Sequence, residues 1–203
     1  MTSERGSSPS GRARRFLLVQ NDNLDEFSFV PLRSSDLPSL AVWFARPHVA
    51  RWWREPSDLA SVERNYGPLA QGLEPTEGFI VHFDRRPIGY VQRYLIDEDP
   101  DWRETIQGAL GHAGGIGIDY LIGEPDVIGR GVGRRLIAQF VGASWKRYRS
   151  ADRIAVALQQ DNIASWKALE ASGFRRVWEG ELVSSDPSDR GPSFIYVVDR
   201  QQD

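Results

Sequence analysis

Ile116-Gly117-Ile118-Asp119-Tyr120-Leu121-Ile122 and, five residues later, Ile128-Gly129-Arg130-Gly131-Val132-Gly133 decide the fold of this chain. The first segment alternates. Ile116, Ile118, Tyr120 and Ile122 share one face, and Gly117, Asp119 and Leu121 share the other, which predicts a strand with one carboxylate on its second face. The second segment opens a helix predicted from about Gly131 to Tyr148, with Leu136, Ile137, Phe140, Val141 and Trp145 at helical spacing. A strand, a glycine turn and a helix start make an anion site. The first helical N–H groups have no partner, the helix dipole adds partial positive charge, and glycine lets the backbone approach a phosphate closely. A pyrophosphate fits such a nest, with Arg134 and Arg135 available for a further phosphate.

Gly-x-Gly-x-Gly alone is a weak signal, and a tight turn without a ligand would also use it. A dinucleotide fingerprint would follow the first strand of a βαβ unit, with an acidic residue ~20 positions on. Here the loop comes late, behind a hairpin. Gly78–Phe83 reads as one strand, Asp84–Pro87 as a turn and Ile88–Ile96 as the returning strand. The Gly-Lys-Ser/Thr of a P-loop is missing.

Upstream, Phe27 to Arg33 suggests a first strand. Asp36 suits the N-cap of a short helix carrying Leu37, Leu40, Ala41 and Phe44, and a second helix follows Ser57, with Pro68 kinking or ending it. Downstream, Arg153–Leu158 reads as a buried strand, Asn162 starts a helix that stops at Gly173, and Phe174–Leu182 and Ser193–Val198 complete a sheet. The expectation is an α/β (α+β) architecture: a mixed central sheet of six to seven strands with flanking helices. Residues 1–25, rich in Ser, Gly and Arg, read as a flexible tail, and residues 26–203 as a single domain.

The 203 residues suit one α/β domain. A formal net charge of -3 argues against generic nucleic-acid binding. No apolar run approaches the ~20 residues of a membrane span, and Phe16–Val19 is too short for a signal-peptide core. The expected location is cytoplasmic. With no cysteine there is no disulfide, no thiolate metal site and no acyl-cysteine intermediate. Three scattered histidines give no metal-ligand spacing, so no metal is expected.

The order of elements resembles the GNAT superfamily of N-acetyltransferases. That family carries Arg/Gln-x-x-Gly-x-Gly/Ala at this place. Ile128-Gly129-Arg130-Gly131-Val132-Gly133 matches except at Ile128, whose side chain the pyrophosphate-binding amides do not need. Asn162, Ala164, Glu170, Gly173 and Phe174 are similar to its Asn-x-x-Ala-x-x-x-Tyr-Glu-x-x-Gly-Phe helix. Three further segments, His48–Trp53, Pro87–Gln92 and Gly117–Asp119, look like those of the aminoglycoside 6′-N-acetyltransferases, although siderophore-biosynthesis enzymes share the first.

The resemblance implies acetyl-CoA as cosubstrate, held by Ile118, Tyr120, the loop Ile128–Gly133, Arg134 and Asn162, which would also cap its helix. It implies that Asp119 contacts the acceptor amine and serves as its base, and that a strand N–H near Ile118 or Tyr120 binds the oxyanion. The other reading of Asp119 is a hydrogen-bonded structural carboxylate. Where relatives place a tyrosine acid, this chain has Leu169. The proton for the departing thiolate then comes from water or from another group such as Tyr120. The acidic stretch Asp97, Glu98, Asp99, Asp101 and Glu104 either lines a site for a polycation or is a solvated loop. Trp102 within it stacks on a sugar or covers the core edge. Of the adjacent Trp52 and Trp53, one packs and the other lines the acceptor cleft. His48 is read as structural.

Three readings follow. The first is acetyl transfer to an aminoglycoside amine by direct attack in a ternary complex, conferring resistance, at the 6′ position or the 2′-amine of a kasugamycin-type sugar. The second is acylation of hydroxylysine or another small amine in siderophore assembly. The third is a non-catalytic acyl-CoA sensor. A monomer or homodimer is expected.

Overall fold

The computed structural model describes residues 27–111, 114–182, 184 and 186–201. The expected N-terminal tail lies outside these. Within the described residues seven strands form one mixed sheet: β1 (Phe27–Pro31), β2 (Glu77–Phe83), β3 (Arg86–Leu95), β4 (Ile116–Ile122), β5 (Arg153–Gln159), β6 (Arg175–Leu182) and β7 (Gly191–Asp199). Their order is β1-β2-β3-β4-β5-β7-β6, antiparallel except for β4 beside β5.

Among the described residues six helices flank it: α1 (Leu37–Phe44), α2 (Pro47–Trp53), α3 (Leu59–Ala70), α4 (Pro100–Leu110), α5 (Val132–Arg147) and α6 (Ile163–Glu170). On one face α5 buries Val132, Leu136, Ile137 and Phe140 against Ile116 and Ile118, with Leu169 of α6 beside them. Each such side chain contributes roughly 1.5–3 kcal/mol. The other face carries two separate clusters. One joins α1, α2 and α3 to Tyr90 and Leu121. The other joins Trp102 and Ile106 of α4 to Ala155, Ile195 and Val197. Asp119 lies on this second face, between the two.

Two readings of the chain are corrected. The acidic stretch is not a loop. A 3-10 turn over Ile96–Glu98 leads into α4, whose start carries Asp99 as N-cap and Pro100 at its first position. Those are ordinary helix-start residues, masked by the density of charge around them. His48–Trp53, given no element from sequence, belongs to α2. Pro68 does not end α3 early: it lies inside the last turn, and the helix runs on through Ala70 to its C-cap at Gln71. No described helix is long and apolar enough to cross a membrane.

Candidate active site

The parallel pairing of β4 with β5 is brief: Ile116 with Ile154 and Gly117 with Ala155. Beyond Gly117 the strands part. On its other side β4 stays paired with β3 from Leu95–Ile116 to Gly89–Ile122. The bonds Ile96 N→Gly115 O (3.1 Å) and Gly123 N→Ile88 O (2.8 Å) set the phase of that ladder. Backbone direction alternates along an antiparallel pair, so Gly117, Asp119 and Leu121 bond toward β3 while Ile118 and Tyr120 turn their N–H groups toward β5. The Gly117–Ala155 pairing uses the Ile118 N–H. The Tyr120 N–H is the first on that side with no strand beside it, and the Ile118 carbonyl faces the same opening. The Ile122 carbonyl is bonded to His48 Nε2 (3.0 Å), so His48 is structural, as expected.

At the far end of the opening lies the glycine loop. Gly129 (φ 76°) and Gly131 (φ 74°) both occupy the left-handed region, where other residues are strained. A Cβ on either would meet nothing within 4 Å, so it is the backbone turn and not packing that requires glycine. Gly131 is the N-cap of α5 and offers no side-chain cap, leaving the first amides of a 16-residue helix open. These residues fit a pyrophosphate: unpaired N–H groups, positive dipole and free space coincide. Arg130 and Arg134 are exposed beside them. Ile128 is exposed too, and its absent guanidinium leaves the amides unchanged.

The loop is held from behind by ion pairs. Glu124 accepts from Trp43 Nε1 (2.9 Å) and Arg86 (2.9 Å) and pairs with Arg46 (3.0 Å), while Arg86 also pairs with Asp126 (2.6 Å). Arg46 and Trp43 hold the Glu124 carboxyl below its ordinary range.

Two adjoining cavities meet at Asp119, of about 820 Å³ and 160 Å³. The smaller one is bordered by Tyr120, Asn162, Ser165 and the β5 residues from Val156 to Gln159, on the side of the parted strands. Asn162 caps α6 as expected, its Oδ1 accepting from Ser165 N (3.3 Å). Tyr120 and Ser165 share a hydroxyl–hydroxyl bond of 2.6 Å. Burial raises the Tyr120 hydroxyl well above its ordinary range, so it stays protonated at all working pH. Leu169 is fully buried in the α5–α6 core and reaches neither cavity.

The larger cavity is acidic. Asp99, Glu104, Asp119, Glu181, Asp186 and Asp189 all border it. Burial raises Asp119 to about 6, with Asp186 and Asp99 adding like charge, while donors on Gln92 and Tyr94 pull the other way. Burial raises Asp189 further, to about 7, with Asp119, Asp186 and Asp99 contributing. Tyr94 can lie this close because residue 117 is glycine: a Cβ there would be 2.3 Å from the Tyr94 ring.

The remaining expected residues are distributed as follows. Asp99 caps α4 through Trp102 N (3.0 Å) and also walls the larger cavity. The side chain of Asp101 lies outside the described residues. Asp97 and Glu98 border neither cavity. Trp102, 8% exposed, covers the core edge beneath α4 and also borders both cavities. Trp52 and Trp53 do not divide the work as expected, because both border the smaller cavity. Trp53 also packs, stacking on Phe44 (5.9 Å) and donating to the Tyr66 hydroxyl (3.1 Å). At the end of a helix, adjacent side chains can diverge round one cavity without both entering the core.

Sequence reading missed the turn Pro187–Asp189 and its carboxylates. This turn is pinned over the cleft: Arg54 donates to Pro187 O (2.8 Å) and to Gln159 (2.9 Å), Gln159 donates to Ser188 O (2.8 Å), and the Ser188 hydroxyl donates to Trp53 O. The signal available was an Asp-Pro-Ser-Asp run, which any solvated loop could carry.

The family model for the acetyltransferase (GNAT) domain matches residues 33–182. The chain belongs to the GNAT acetyltransferase family. The glycine loop and the α5 start fall within this match, in agreement with the resemblance read at Ile128–Gly133. The aminoglycoside N(6′)-acetyltransferases type 1 of Klebsiella pneumoniae and Serratia marcescens are each 26% identical over 193 residues, covering 93% of this chain and 89% of theirs. The solved structure of aminoglycoside acetyltransferase AAC(6′)-Ib with coenzyme A superposes with a TM-score of 0.72 at 25% identity, covering 86% of this GNAT chain and 95% of that one. The same enzyme with ribostamycin and coenzyme A also gives 0.72 at 25% identity, covering 86% and 94%.

Proposed function

We propose that this GNAT chain transfers acetyl from acetyl-CoA to a primary amine of an aminoglycoside, the 6′-amine first, and so confers resistance. One observation carries the reading. A raised carboxylate, Asp119, stands where an acidic cavity of about 820 Å³ meets the gap between β4 and β5. The similarity to enzymes named as aminoglycoside N(6′)-acetyltransferases supports it.

In this reading the α5 start holds the pyrophosphate on the amides of Gly129–Gly133, with Arg130 and Arg134 adding charge. Asn162 and the Ile118 carbonyl border the pantetheine arm. The acceptor enters as an ammonium, drawn by Asp99, Asp186 and Asp189. Asp119 takes one of its protons. A carboxyl near 6 is far better matched to that task than one near 3.9. The amine nitrogen attacks the thioester carbon directly. The C–N bond forms, the Tyr120 N–H donates to the oxyanion, the C–S bond breaks, and sulfur leaves with a proton from the Tyr120 hydroxyl. The nitrogen's second proton replaces it through solvent or Ser165, so product amide and free thiol balance. Trp52, Trp53 and Trp102 supply flat apolar walls for sugar rings.

An acceptor with its own carboxylate, such as hydroxylysine, meets repulsion from these carboxylates. The catalytic unit is a single domain from residue 26 onward, needs no metal and no nucleic acid, is complete within one chain whether monomer or homodimer, and works in the cytoplasm, where acetyl-CoA is made. The test supplies acetyl-CoA and follows thiol release with kanamycin, kasugamycin and hydroxylysine in turn. Turnover with kanamycin is expected. Turnover with hydroxylysine alone defeats the reading, and turnover with kasugamycin alone moves the site to a 2′-amine.

A further inference from the structure

Gln92 lies directly across from Asp119 in the β3–β4 ladder, and its Nε2 donates to Asp119 Oδ2 at 2.8 Å. A glutamine amide has two ends of nearly equal shape and opposite polarity. A carboxylate gains a bond from one and repulsion from the other. An ionised carboxylate selects the N–H end, and the partner of the other end sets how firmly that N–H is held. Here that partner is the Tyr90 hydroxyl, which donates to Gln92 Oε1 at 2.8 Å.

Tyr90 is fully buried, and its ring meets Tyr66 of α3 (5.9 Å) and Trp53 of α2 (6.1 Å) edge-on. Its hydroxyl occupies a slot over Gly78 of β2, where a Cβ would stand 2.6 Å away. Burial raises the hydroxyl well above its ordinary range, with Asp119, Glu74 and Glu55 adding to the effect, so it remains a donor. Asp119 in turn is faced by Gln92 and Tyr94 of β3, by Asp99 at the start of α4, and by Asp186 and Asp189 of the turn over the cleft.

We propose that Tyr90 is a positioning residue for Asp119, acting through Gln92: its hydroxyl anchors the amide carbonyl and so holds the N–H on the carboxylate. The proposal rests on Asp119 as the group that meets the acceptor amine, but its core can be tested without any acceptor. Gln92's donated bond favours the ionised carboxylate. Releasing the amide should therefore raise the midpoint at which Asp119 ionises.

The experiment follows the Asp119 carboxyl carbon by NMR across pH in the free wild-type protein, in Tyr90→Phe, in Gln92→Leu and in the double variant. Tyr90→Phe should raise the midpoint by at least about 0.3 pH unit, Gln92→Leu by at least as much, and the double variant should match Gln92→Leu. The acid limb of kcat/KM with kanamycin should move by the same amount in Tyr90→Phe, with KM for acetyl-CoA unchanged. A wild-type midpoint in Tyr90→Phe, or a further rise when the phenylalanine is added to Gln92→Leu, overturns the proposal. If Tyr90→Phe fails to fold, Gly78→Ala keeps the hydroxyl but crowds it from its slot, and must raise the midpoint likewise. Wild-type protein inert toward every amine defeats the functional reading, while the NMR midpoints still decide the role of Tyr90.

Discussion

The two ends of the cleft between β4 and β5 are built in opposite ways. The glycine-loop end is made of backbone. Six consecutive residues, Ile128–Gly133, bring amides, dipole and left-handed turns together, and few side chains matter. The Asp119 end is made of side chains. Its carboxylates come from β4, α4, β6 and the turn before β7, and its tryptophans from α2, α4 and β6. A backbone site tolerates change of side chain but not of conformation. A side-chain site behaves the other way round.

Asp119→Asn tests the contrast most severely. Turnover should fall by about 10²–10⁴-fold, the range for removing a positioned acid–base group, while acetyl-CoA affinity measured by calorimetry stays within about twofold of wild type. Retained turnover would remove Asp119 from the chemistry. In the wild-type protein kcat/KM should rise as pH passes about 6, where Asp119 ionises.

Gly131→Val is the mirror image. Valine resists φ 74°, so the α5 start must rearrange. KM for acetyl-CoA should rise on the order of tenfold, with KM for the acceptor near wild type. An equal change in both would mean that the two ends are not separable.

Asp189→Asn should have the smallest kinetic effect: a rise in acceptor KM of roughly threefold to tenfold that shrinks at high salt. Its stability effect has the opposite sign. Asp189 and Asp119 hold their protons more tightly folded than unfolded. Their contribution is therefore present below about pH 4 and lost as pH rises through about 6 and 7. At pH 8 Asp189→Asn should raise the melting temperature, by an amount worth on the order of 1–2 kcal/mol. Unchanged melting at pH 8 together with unchanged acceptor KM would show that the carboxylate is solvated and outside the site.

The same contrast explains what was legible in the sequence. The backbone end is local, so Ile116–Gly133 could be read directly, as could Asn162 capping α6. Asp119 was legible because alternation within one strand fixes its face. Gln92, Tyr90 and Tyr94 were not, because their nearness to Asp119 depends on β3–β4 register, which no local pattern states. Asp186 and Asp189 were hidden for a different reason. Their turn looks like solvated loop until Arg54, Gln159 and Trp53 are seen to pin it over the cleft. α4 was misread because charge density outweighed the Asp99-Pro100 start signal.

The parting of β4 from β5 after Gly117 has a consequence beyond chemistry. It leaves a raw sheet edge in the interior of the domain, with the Tyr120 N–H and Ile118 carbonyl on view. Sheet edges elsewhere in proteins are guarded against unwanted strands. In the proposed function the guard is the metabolite itself: an acyl donor lying along that edge completes the sheet. At a concentration 100 times its dissociation constant, a molecule bound only to the native form adds about 2.7 kcal/mol to folding. On that proposal the lifetime of this protein in a cell is tied to the acyl-donor supply, and starvation for the donor would thin the enzyme as well as idle it.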